Sequence, residues 1–534
     1  MLSLTAVSPA FASNDQFSII QDQSFLTSPA TALPQARALG ATTVRMFLQW
    51  YSIAPDPASA YEPKGFDASN PNAYPASAWA PYDTLVETAE REGIRVDLEL
   101  TGGVPRWAEG SNPPTVYRED TSFGWLPSPN LYGQFVHAVT ERYDGHFTPT
   151  GSTNALPAVH FWSFWNEPNF GQDLGPQTTH GSTVPVAPKL YRLLLDSAWK
   201  AIHQTQPHAR NTLLVGELAA TGYALHTPGD PGRLPGTTAQ TRALVFLRAL
   251  YCVDDRYRPL SGSTAARFGC PTTAAASRGF RSRNPALFDA TGFADHPYAS
   301  RRPPNANPAM INHDYATFPV LGRVATALDG VTGAYGSHKR FPIYSDEYGY
   351  ITSPPQPRGL RYPSAARAAT DLNQAEYLSY KNPRVASYAQ FLLDDPPITP
   401  AHPKPGFSSG LYTSTGQPKA TLYAYRLPLW LPKTTVGADS SAEVWGGARP
   451  ATFLRSQPAA TVAIQMRHDD AEPWTTIRTV KVSKLTGYFD IHMQLPYTGA
   501  MRLAYTYPET ELFLPPDVAG TTIYGRTVNV TVSG

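Results

Sequence analysis

Two patterns of apolar and polar positions alternate along the greater part of the chain. Short, nearly continuous apolar runs, such as Val159-His160-Phe161-Trp162-Ser163-Phe164, are typical of parallel strands that are covered on both faces. Between these runs apolar residues recur at helical spacing, and the helix predicted at residues 81–92 ends at Gly93, a residue that favours the left-handed turn after a helix. Eight strand-then-helix units of this kind predict an α/β fold, a (β/α)8 TIM barrel, over residues 17–430.

The predicted strands define where the loops of the barrel mouth begin. They lie at residues 17–20, 42–50, 95–100, 159–164, 212–216, 288–294, 341–345 and 385–393. The span exceeds the ~250 residues usual for such a barrel, and long Pro-rich insertions after several strands account for the excess. Because active sites of TIM barrels lie at the C-terminal ends of the strands, the residues just after these runs are the candidates for chemistry.

The pattern changes beyond residue 430. Short alternating runs, separated by turn residues at intervals of roughly ten, predict an antiparallel β-sandwich at residues 431–534. Trp445 and Trp474 in this part are expected to belong to its core, with stacking on sugar as the alternative. At the other end, residues 1–16 are either signal-like or disordered, since Ala10-Phe11-Ala12 resembles a signal cleavage site although a positively charged start is missing. We therefore expect a secreted or extracellular protein.

Composition narrows the classes of partner and cofactor. The 534 residues contain 43 Lys and Arg against 42 Asp and Glu, a net charge of +1. No basic stripe stands out, so neither nucleic acid nor an anionic membrane is expected as a partner, and no apolar run approaches the ~18 residues of a membrane span. Cys252 and Cys270 lie in a polar insertion, where a disulfide between them would suit an exported protein. Two unpaired thiols are the alternative; no metal site is expected, because neighbouring ligands are missing.

Two glutamates occupy matching positions at strand ends. Glu167, in Trp165-Asn166-Glu167-Pro168-Asn169, follows the fourth predicted strand, and Glu347, in Asp346-Glu347-Tyr348-Gly349, follows the seventh. Apolar neighbours penalise the charged form of a carboxyl, which keeps a proton available near neutral pH. Two carboxylates at one site are the minimum equipment for cleaving a glycosidic bond. Asp346 is the alternative to Glu347, but successive strand residues point in opposite directions, so only one of them is expected to face the site.

Further candidates come from the other strand ends. Arg45, inside the second strand, is expected to face a carboxylate, because a buried Arg is rarely unpaired. His296 and Tyr298 follow the sixth strand. With Arg45 they are candidates for binding substrate, and a purely structural role is the alternative for each. Glu217, after the fifth strand, could touch substrate or serve the framework. Four tryptophans could offer flat faces to sugar rings, and about two of them are expected to do so, with Trp107 and Trp165 first: Trp107, Trp125, Trp162 and Trp165.

These residues together resemble those of glycoside hydrolase clan A. The resemblance rests on Asn166-Glu167-Pro168, Arg45, His296-Pro297-Tyr298 and Glu347, and it covers residues 17–430. It implies that Glu167 is the acid/base and Glu347 the nucleophile of a retaining mechanism. It also implies that Arg45 and Tyr298 orient Glu347, that Asn166 bonds the sugar 2-hydroxyl, and that no cofactor is needed.

Two stretches refine this resemblance. The motif around Glu167, together with Thr101-Gly102-Gly103-Val104-Pro105-Arg106-Trp107-Ala108, looks most like family 39 and its relatives. Strand eight, with Tyr388-Ala389-Gln390-Phe391, lacks the Trp common in the clan. The floor of the sugar pocket is therefore expected to differ.

The sequence thus predicts a retaining glycoside hydrolase that cleaves a plant-type oligo- or polysaccharide by double displacement. Carbohydrate is the expected partner, and the oligomeric state is left open. A transglycosylase using the same site is one alternative. The other is a non-catalytic carbohydrate-binding protein, against which the intact pair Glu167 and Glu347 argues. The loops that set sugar type carry no motif, and a substrate containing xylose, arabinose, galactose or glucose is expected.

Overall fold

The structure is a computed structural model of the chain. It describes residues 16–178, 184–222, 239–299, 302–357, 362–400, 402–449, 460–482, 486–509 and 519–534. Almost all of the predicted N-terminal segment 1–16 lies outside the described residues, so its signal-like character stays a prediction.

Parallel strands close into an eight-strand barrel in sequence order, with β8 paired to β1. The strands are β1 Phe17–Gln21, β2 Thr43–Gln49, β3 Arg95–Thr101, β4 Phe161–Phe164, β5 Thr212–Ala219, β6 Gly292–His296, β7 Ile343–Ser345 and β8 Val385–Phe391. All of these pairings are parallel, as expected when each strand is followed by a helical crossover. The predicted (β/α)8 barrel is confirmed.

Helices follow the barrel strands, and the longer ones bury an apolar face. They are α1 Ser24–Thr27, α2 Pro29–Ala38, α3 Trp50–Ile53, α4 Ala76–Glu92, α5 Thr115–Glu119, α6 Pro129–Arg142, α7 Ala187–Thr205, α8 Ala243–Leu250, α9 Gly262–Arg267, α10 Ala274–Arg278, α11 Phe280–Arg283, α12 Ala286–Asp289, α13 Leu321–Gly333, α14 Ala365–Lys381 and α15 Ala420–Arg426. In α4, Leu85, Val86 and Ala89 are buried, and Gly93 ends the helix at a φ of 65°. Helical spacing and the glycine after it therefore identified this helix correctly.

The sixth strand begins later than the sequence predicts. Residues 288–294 are expected to form a strand, whereas Phe288 belongs to the single helical turn α12 and the strand starts at Gly292. A short buried helical turn and a buried strand carry the same apolar run, so hydrophobicity alone does not separate them. The shift makes His296 the last residue of β6, directly at the barrel mouth.

The C-terminal part forms two sheets around one apolar core. One sheet has the order β10-β17-β15-β12-β13, with β16 on β15, and the other has the order β14-β11-β9. Their strands are β9 Leu429–Trp430, β10 Thr435–Gly437, β11 Ser441–Gly447, β12 Ala460–Arg467, β13 Thr475–Val482, β14 Tyr488–Gln494, β15 Gly499–Thr506, β16 Thr522–Tyr524 and β17 Val528–Ser533. Pairing is antiparallel except between β10 and β17. The predicted β-sandwich after the barrel is confirmed.

A buried ion pair joins the sandwich to the barrel. Arg449 contacts Glu376 of α14, and the Tyr488 hydroxyl donates to Glu376 Oε1 at 2.5 Å. Trp445 is fully buried at this junction. Trp474 is half-buried instead, and the guanidinium groups of Arg467 and Arg502 lie 4.6 and 4.2 Å from its ring. Both guanidinium groups lie against the indole ring of Trp474, and these contacts do not favour stacking of the ring on sugar.

The insertion between β5 and β6 carries a disulfide. Cys252 and Cys270 are joined with an S–S distance of 2.01 Å. Among the described residues, no helix combines the length and apolarity required to cross a membrane.

Candidate active site

The C-terminal ends of strands bring two glutamates together at one mouth of the barrel. Glu167 lies three residues beyond the end of β4 and Glu347 two residues beyond the end of β7. One carboxylate oxygen of each glutamate and one ring nitrogen of His296 lie within 4.8 Å of one another. Residues 180 positions apart in the sequence therefore form one carboxylate pair.

Glu347 is held by two donors. Arg45 Nη1 donates to Glu347 Oε2 at 2.8 Å, and the Tyr298 hydroxyl donates to Oε1 at 2.9 Å. The Glu347 side chain is 11% exposed, so a solute in the mouth can still reach it. Donors on both oxygens fix the orientation of an ionised carboxylate, which is the form a nucleophile requires.

Glu167 has different surroundings. His296 Nδ1 lies 3.0 Å from Glu167 Oε1, and the glutamate side chain is 18% exposed. Its backbone has a φ of 37°, and that of Trp165 is 70°, so the segment after β4 leaves the extended conformation abruptly. The backbone N–H of Asn166 donates to Thr101 Oγ1 at 2.9 Å and anchors this turn. Left-handed non-glycine residues of this kind cluster at sites where a side chain has to be aimed.

Asn166 is also tied down through its side chain. Its Nδ2 donates to Asp173 Oδ1 at 3.1 Å, and its Oδ1 accepts from Arg45 Nη2 at 3.4 Å. The residue is half-buried beside Glu167. Its predicted bond to a sugar 2-hydroxyl stays a prediction.

Arg45 lies beneath the two glutamates and contacts several carboxyl groups. It is fully buried in β2 and contacts Glu99 of β3, Glu217 of β5 and Glu347. Although burial opposes its charge, the negative charges of Glu99 and its neighbours raise the pKa of Arg45 well above its usual value. The expectation that this Arg faces a carboxylate is met, but the side chain is too deep to bind substrate directly.

A layer of further acids lies below Glu167 and Glu347. Burial raises the pKa of Asp97 to about 8 and raises the pKa values of Glu99, Asp295 and Asp346. Glu217 is the exception: against the effect of burial, the charge of Arg45 and the hydrogen bond from His296 lower its pKa to about 2. The interior below the mouth therefore combines an ionised Glu217 with carboxyl groups whose pKa values are raised by burial.

Asp346 and Glu347 both lie at this site, which corrects the expectation that only one of them would. Asp346 Oδ2 is 3.7 Å from Arg45 Nε, and Asp346 Oδ1 is 3.8 Å from His296 Nε2. Alternation of side chains does not apply to them because β7 ends at Ser345. Asp346 is fully buried whereas Glu347 reaches the opening, so Glu347 is the one available to a substrate.

The four candidate tryptophans are packed into the protein. Trp165 is fully buried, its N–H donates to the Asp173 carbonyl at 3.0 Å, and its ring packs against Tyr132. Trp107 is 9% exposed, and its N–H donates to the Pro55 carbonyl at 3.1 Å. This packing does not favour stacking of Trp107 and Trp165 on sugar, which stays a prediction. Trp125 and Trp162 are buried as well.

Other aromatic rings lie around Tyr298, which contacts Glu347. The ring of Phe407 is 5.3 Å from that of Tyr298 and 5.1 Å from that of Phe391. Both phenylalanines are half-buried, and Phe391 ends the strand that lacks a Trp. The position of Phe391 at a strand end was a signal in the sequence. Phe407 had no such signal, because it comes from a long loop.

His296 and carboxylates also form the two groups in the described part of the chain that have the composition of a metal site. One combines His296 with Glu167 and Glu347, and the other combines His296 with Glu217 and Asp346. Arg45 Nη2 already lies 3.1 Å from Glu217 Oε2. A divalent cation bound by the second group would lie next to this guanidinium, and the two positive charges would repel each other. His296, Glu217 and Asp346 therefore fit proton transfer better than cation binding.

Comparisons with known proteins found distant structural similarities. No protein-family model and no curated protein matches the chain. A glucosidase from Croceicoccus marinus shares 13% identity over 98% of this chain and 94% of its own, with a TM-score of 0.47. A family 51 α-L-arabinofuranosidase from Bifidobacterium longum shares 12% identity over 91% and 92%, with a TM-score of 0.42. A xylanase from Thermotoga petrophila shares 12% identity over 79% and 97%, with a TM-score of 0.39. At such values the activity has to be inferred from the site itself.

Proposed function

We propose that this protein is a retaining glycoside hydrolase in which Glu347 is the nucleophile and Glu167 the acid/base. The observation that carries the proposal is the pair itself, with oxygens of the two carboxylates within 4.8 Å. Carboxyl groups about 5–5.5 Å apart serve double displacement, whereas inversion needs about 6.5–9.5 Å to admit a water between them. The two glutamates also differ in their partners, which suits two different roles.

The chemistry follows from these partners. In the first step, Glu347 Oε attacks the anomeric carbon, the bond to the leaving oxygen breaks with its electron pair, and that oxygen takes the proton of Glu167. In the second step, water attacks the same carbon, Glu167 takes a proton from the water, and the bond to Glu347 breaks. Arg45 and Tyr298 hold Glu347 in place in both steps. In each step one bond to the anomeric carbon forms while another breaks, and one proton is transferred to or from Glu167.

The substrate class belongs to the same proposal. A plant-type oligo- or polysaccharide is the proposed substrate, with the half-buried rings of Phe391 and Phe407 beside the nucleophile supporting contact with the C–H face of a sugar. Membership of clan A, and of family 39 within it, is proposed on the motifs around Glu167 and Glu347. Export is proposed because the disulfide between Cys252 and Cys270 suits an oxidising compartment.

Nitrophenyl glycosides and plant polysaccharides, tested with wild type and two variants, examine this proposal. Glu347→Ala is expected to lose turnover by about four orders of magnitude or more, since covalent catalysis is removed. Azide should restore turnover in that variant and yield a glycosyl azide of inverted configuration. Asp346→Ala is the matched control, because Asp346 is fully buried whereas Glu347 reaches the opening. Azide rescue in Asp346→Ala instead, or unchanged turnover in Glu347→Ala, would refute the assignment.

A further inference from the structure

Strand β5 contains an irregularity directly below the acid/base. Val215 pairs with Phe293 and Leu218 with Asp295, so Gly216 and Glu217 together oppose a single residue of β6. This arrangement is a β-bulge, which bends a strand locally and re-aims a side chain. The φ angles of Gly216 and Glu217 are 114° and 49°. The second angle is unfavourable for a glutamate and needs support from the surrounding structure.

The surroundings of the bulge supply that support. A Cβ at Gly216 would lie 2.6 Å from the Ala294 carbonyl oxygen and 2.8 Å from the Phe293 ring, so only glycine fits. The Gly216 N–H, which the bulge removes from regular pairing, donates to the Tyr191 hydroxyl at 2.9 Å. The chain is therefore built to hold this conformation, and its effect is to point Glu217 into the barrel.

Glu217 reaches the acid/base through one intermediate residue. Its Oε2 lies 3.1 Å from His296 Nε2, and His296 Nδ1 lies 3.0 Å from Glu167 Oε1. Both Glu217 and His296 are fully buried. The three side chains form a continuous line from the barrel interior to the mouth. With a proton on each ring nitrogen, His296 donates to a carboxylate on either side.

We propose that Glu217 is a positioning residue that keeps His296 protonated and aimed at Glu167, and so sets the acid strength of the catalytic pair. The inference rests on the proposed hydrolase for its consequence in catalysis, but the link between Glu217 and His296 can be tested without any substrate. Glu217 does not touch the reacting atoms; its action passes through the imidazolium.

The charges around His296 favour this role. Although burial opposes it, the charge of Glu347 and the hydrogen bonds with Glu167 and Glu217 raise the pKa of His296 well above its ordinary value. The titratable and charged groups that face the line from the packed strands and loops are Arg45 on β2, Asp97 and Glu99 on β3, Asp173 after β4, Asp295 on β6, and Asp346 and Glu347 after β7. Glu217 is the ionised acid that hydrogen-bonds the ring on the side away from the substrate.

An imidazolium beside Glu167 has a definite effect on the reaction. When Glu167 protonates the leaving oxygen it becomes a carboxylate, and the adjacent N–H of His296 stabilises that new charge. The help is greatest for leaving groups that need full protonation and least for leaving groups that depart as stable anions. Loss of Glu217 should therefore steepen the dependence of rate on the leaving group.

Two measurements on Glu217→Gln test the inference. In protein labelled with [15N]histidine, with His296 assigned by comparison with His296→Gln, the imidazolium signals of His296 should give way to neutral ones at lower pH than in wild type. In kinetics, kcat/KM should fall by about tenfold or more for glycosides of poor leaving groups and by much less for dinitrophenyl glycosides. Asp295→Asn is the matched control: Asp295 is as fully buried as Glu217, but neither of its carboxyl oxygens has a hydrogen-bond partner among the described residues, so both readouts should stay as in wild type.

The outcomes separate this inference from the proposed function. An unaltered His296 titration in Glu217→Gln would overturn it, whether or not any glycoside is hydrolysed. Equal loss of rate for all leaving groups would also overturn it, because a merely structural effect would not distinguish them. If Glu217→Gln does not fold, the same His296 titration is measured on Glu217→Asp. This variant keeps the negative charge but moves it away from His296 Nε2. A smaller shift in the same direction supports the inference, and no shift overturns it.

Discussion

Replacing Arg45 by Met tests whether this guanidinium is the counter-charge that allows acids to be buried in the barrel. Arg45 has no solvent exposure and contacts Glu99, Glu217 and Glu347. Methionine has a similar length and fills the space, so the change removes the charge and the donors with little change in packing. We expect the buried carboxylates left behind to destabilise the fold.

The magnitude follows from breaking a buried ion pair from one side. Removing one partner costs about 3–5 kcal/mol, because the other charge is left without compensation. With an unfolding entropy of about 2.1 cal/mol/K per residue, a barrel of about 400 residues has about 0.8 kcal/mol/K, so Tm should fall by about 4–6 °C.

The loss should also depend on pH in a defined direction. In the wild type the pKa of Glu217 lies at about 2, below its ordinary value of 4.5. A carboxyl with a lowered pKa contributes stability above its ordinary pKa and loses it as pH falls through the folded value. The difference between wild type and Arg45→Met should therefore be largest above about pH 5 and shrink towards pH 2.

Urea unfolding and thermal melts between pH 3 and pH 8 measure this difference. Arg95→Met is the control, since Arg95 lies at the exposed start of β3 and only faces the Phe17 ring at 4.0 Å; it should cost about 0.5–1 kcal/mol. An Arg45→Met protein as stable as wild type at every pH would refute the reasoning. It would mean that the acids are held neutral by protons and do not need the guanidinium.

Other predictions concern the loop, the bulge and the buried acids. Replacing both Cys252 and Cys270 by Ser opens a crosslink of sequence separation 18 and should cost about 3 kcal/mol; a melting curve that matches oxidised wild type would contradict this. Gly216→Ala should destabilise the fold by about 1–3 kcal/mol through strain at the bulge. Gly322→Ala, in a helix with no atom near the added Cβ, should be neutral or slightly stabilising in the same melts. Burial raises the pKa of Asp97 from 3.8 to about 8, so wild type loses stability as pH rises through this interval. In urea unfolding, the free energy of unfolding of Asp97→Asn relative to that of wild type should increase from pH 4 to pH 8. A difference between the two proteins that does not change with pH would contradict this prediction.

The sequence sufficed for the barrel because its strands are covered on both faces and so stand out as apolar runs. It also sufficed for Glu167 and Glu347, since a carboxylate directly after such a run lies at the barrel mouth by construction. It did not suffice for β5, where the predicted end at Gly216 is in fact the bulge, and the strand continues to Ala219. A glycine followed by an acid reads as the end of a strand, because the φ angles that permit a bulge are those of a turn.

The acids below the site were missed for a different reason. In β3, Asp97 and Glu99 alternate with Val96, Leu98 and Leu100, a pattern that normally indicates a strand with one face in water. In a closed barrel that face points to the interior, so the same alternation places charges where solvent cannot reach them. Such charges persist only if a cation or a proton accompanies each of them. Arg45 supplies one positive charge, the raised pKa of His296 favours a second, and the raised pKa values of Asp97 and Glu99 favour protons on those acids. The alternating acids of β3 were therefore the signal in the sequence for buried acids inside the barrel. They can be interpreted in this way only once the sheet is known to form a closed barrel.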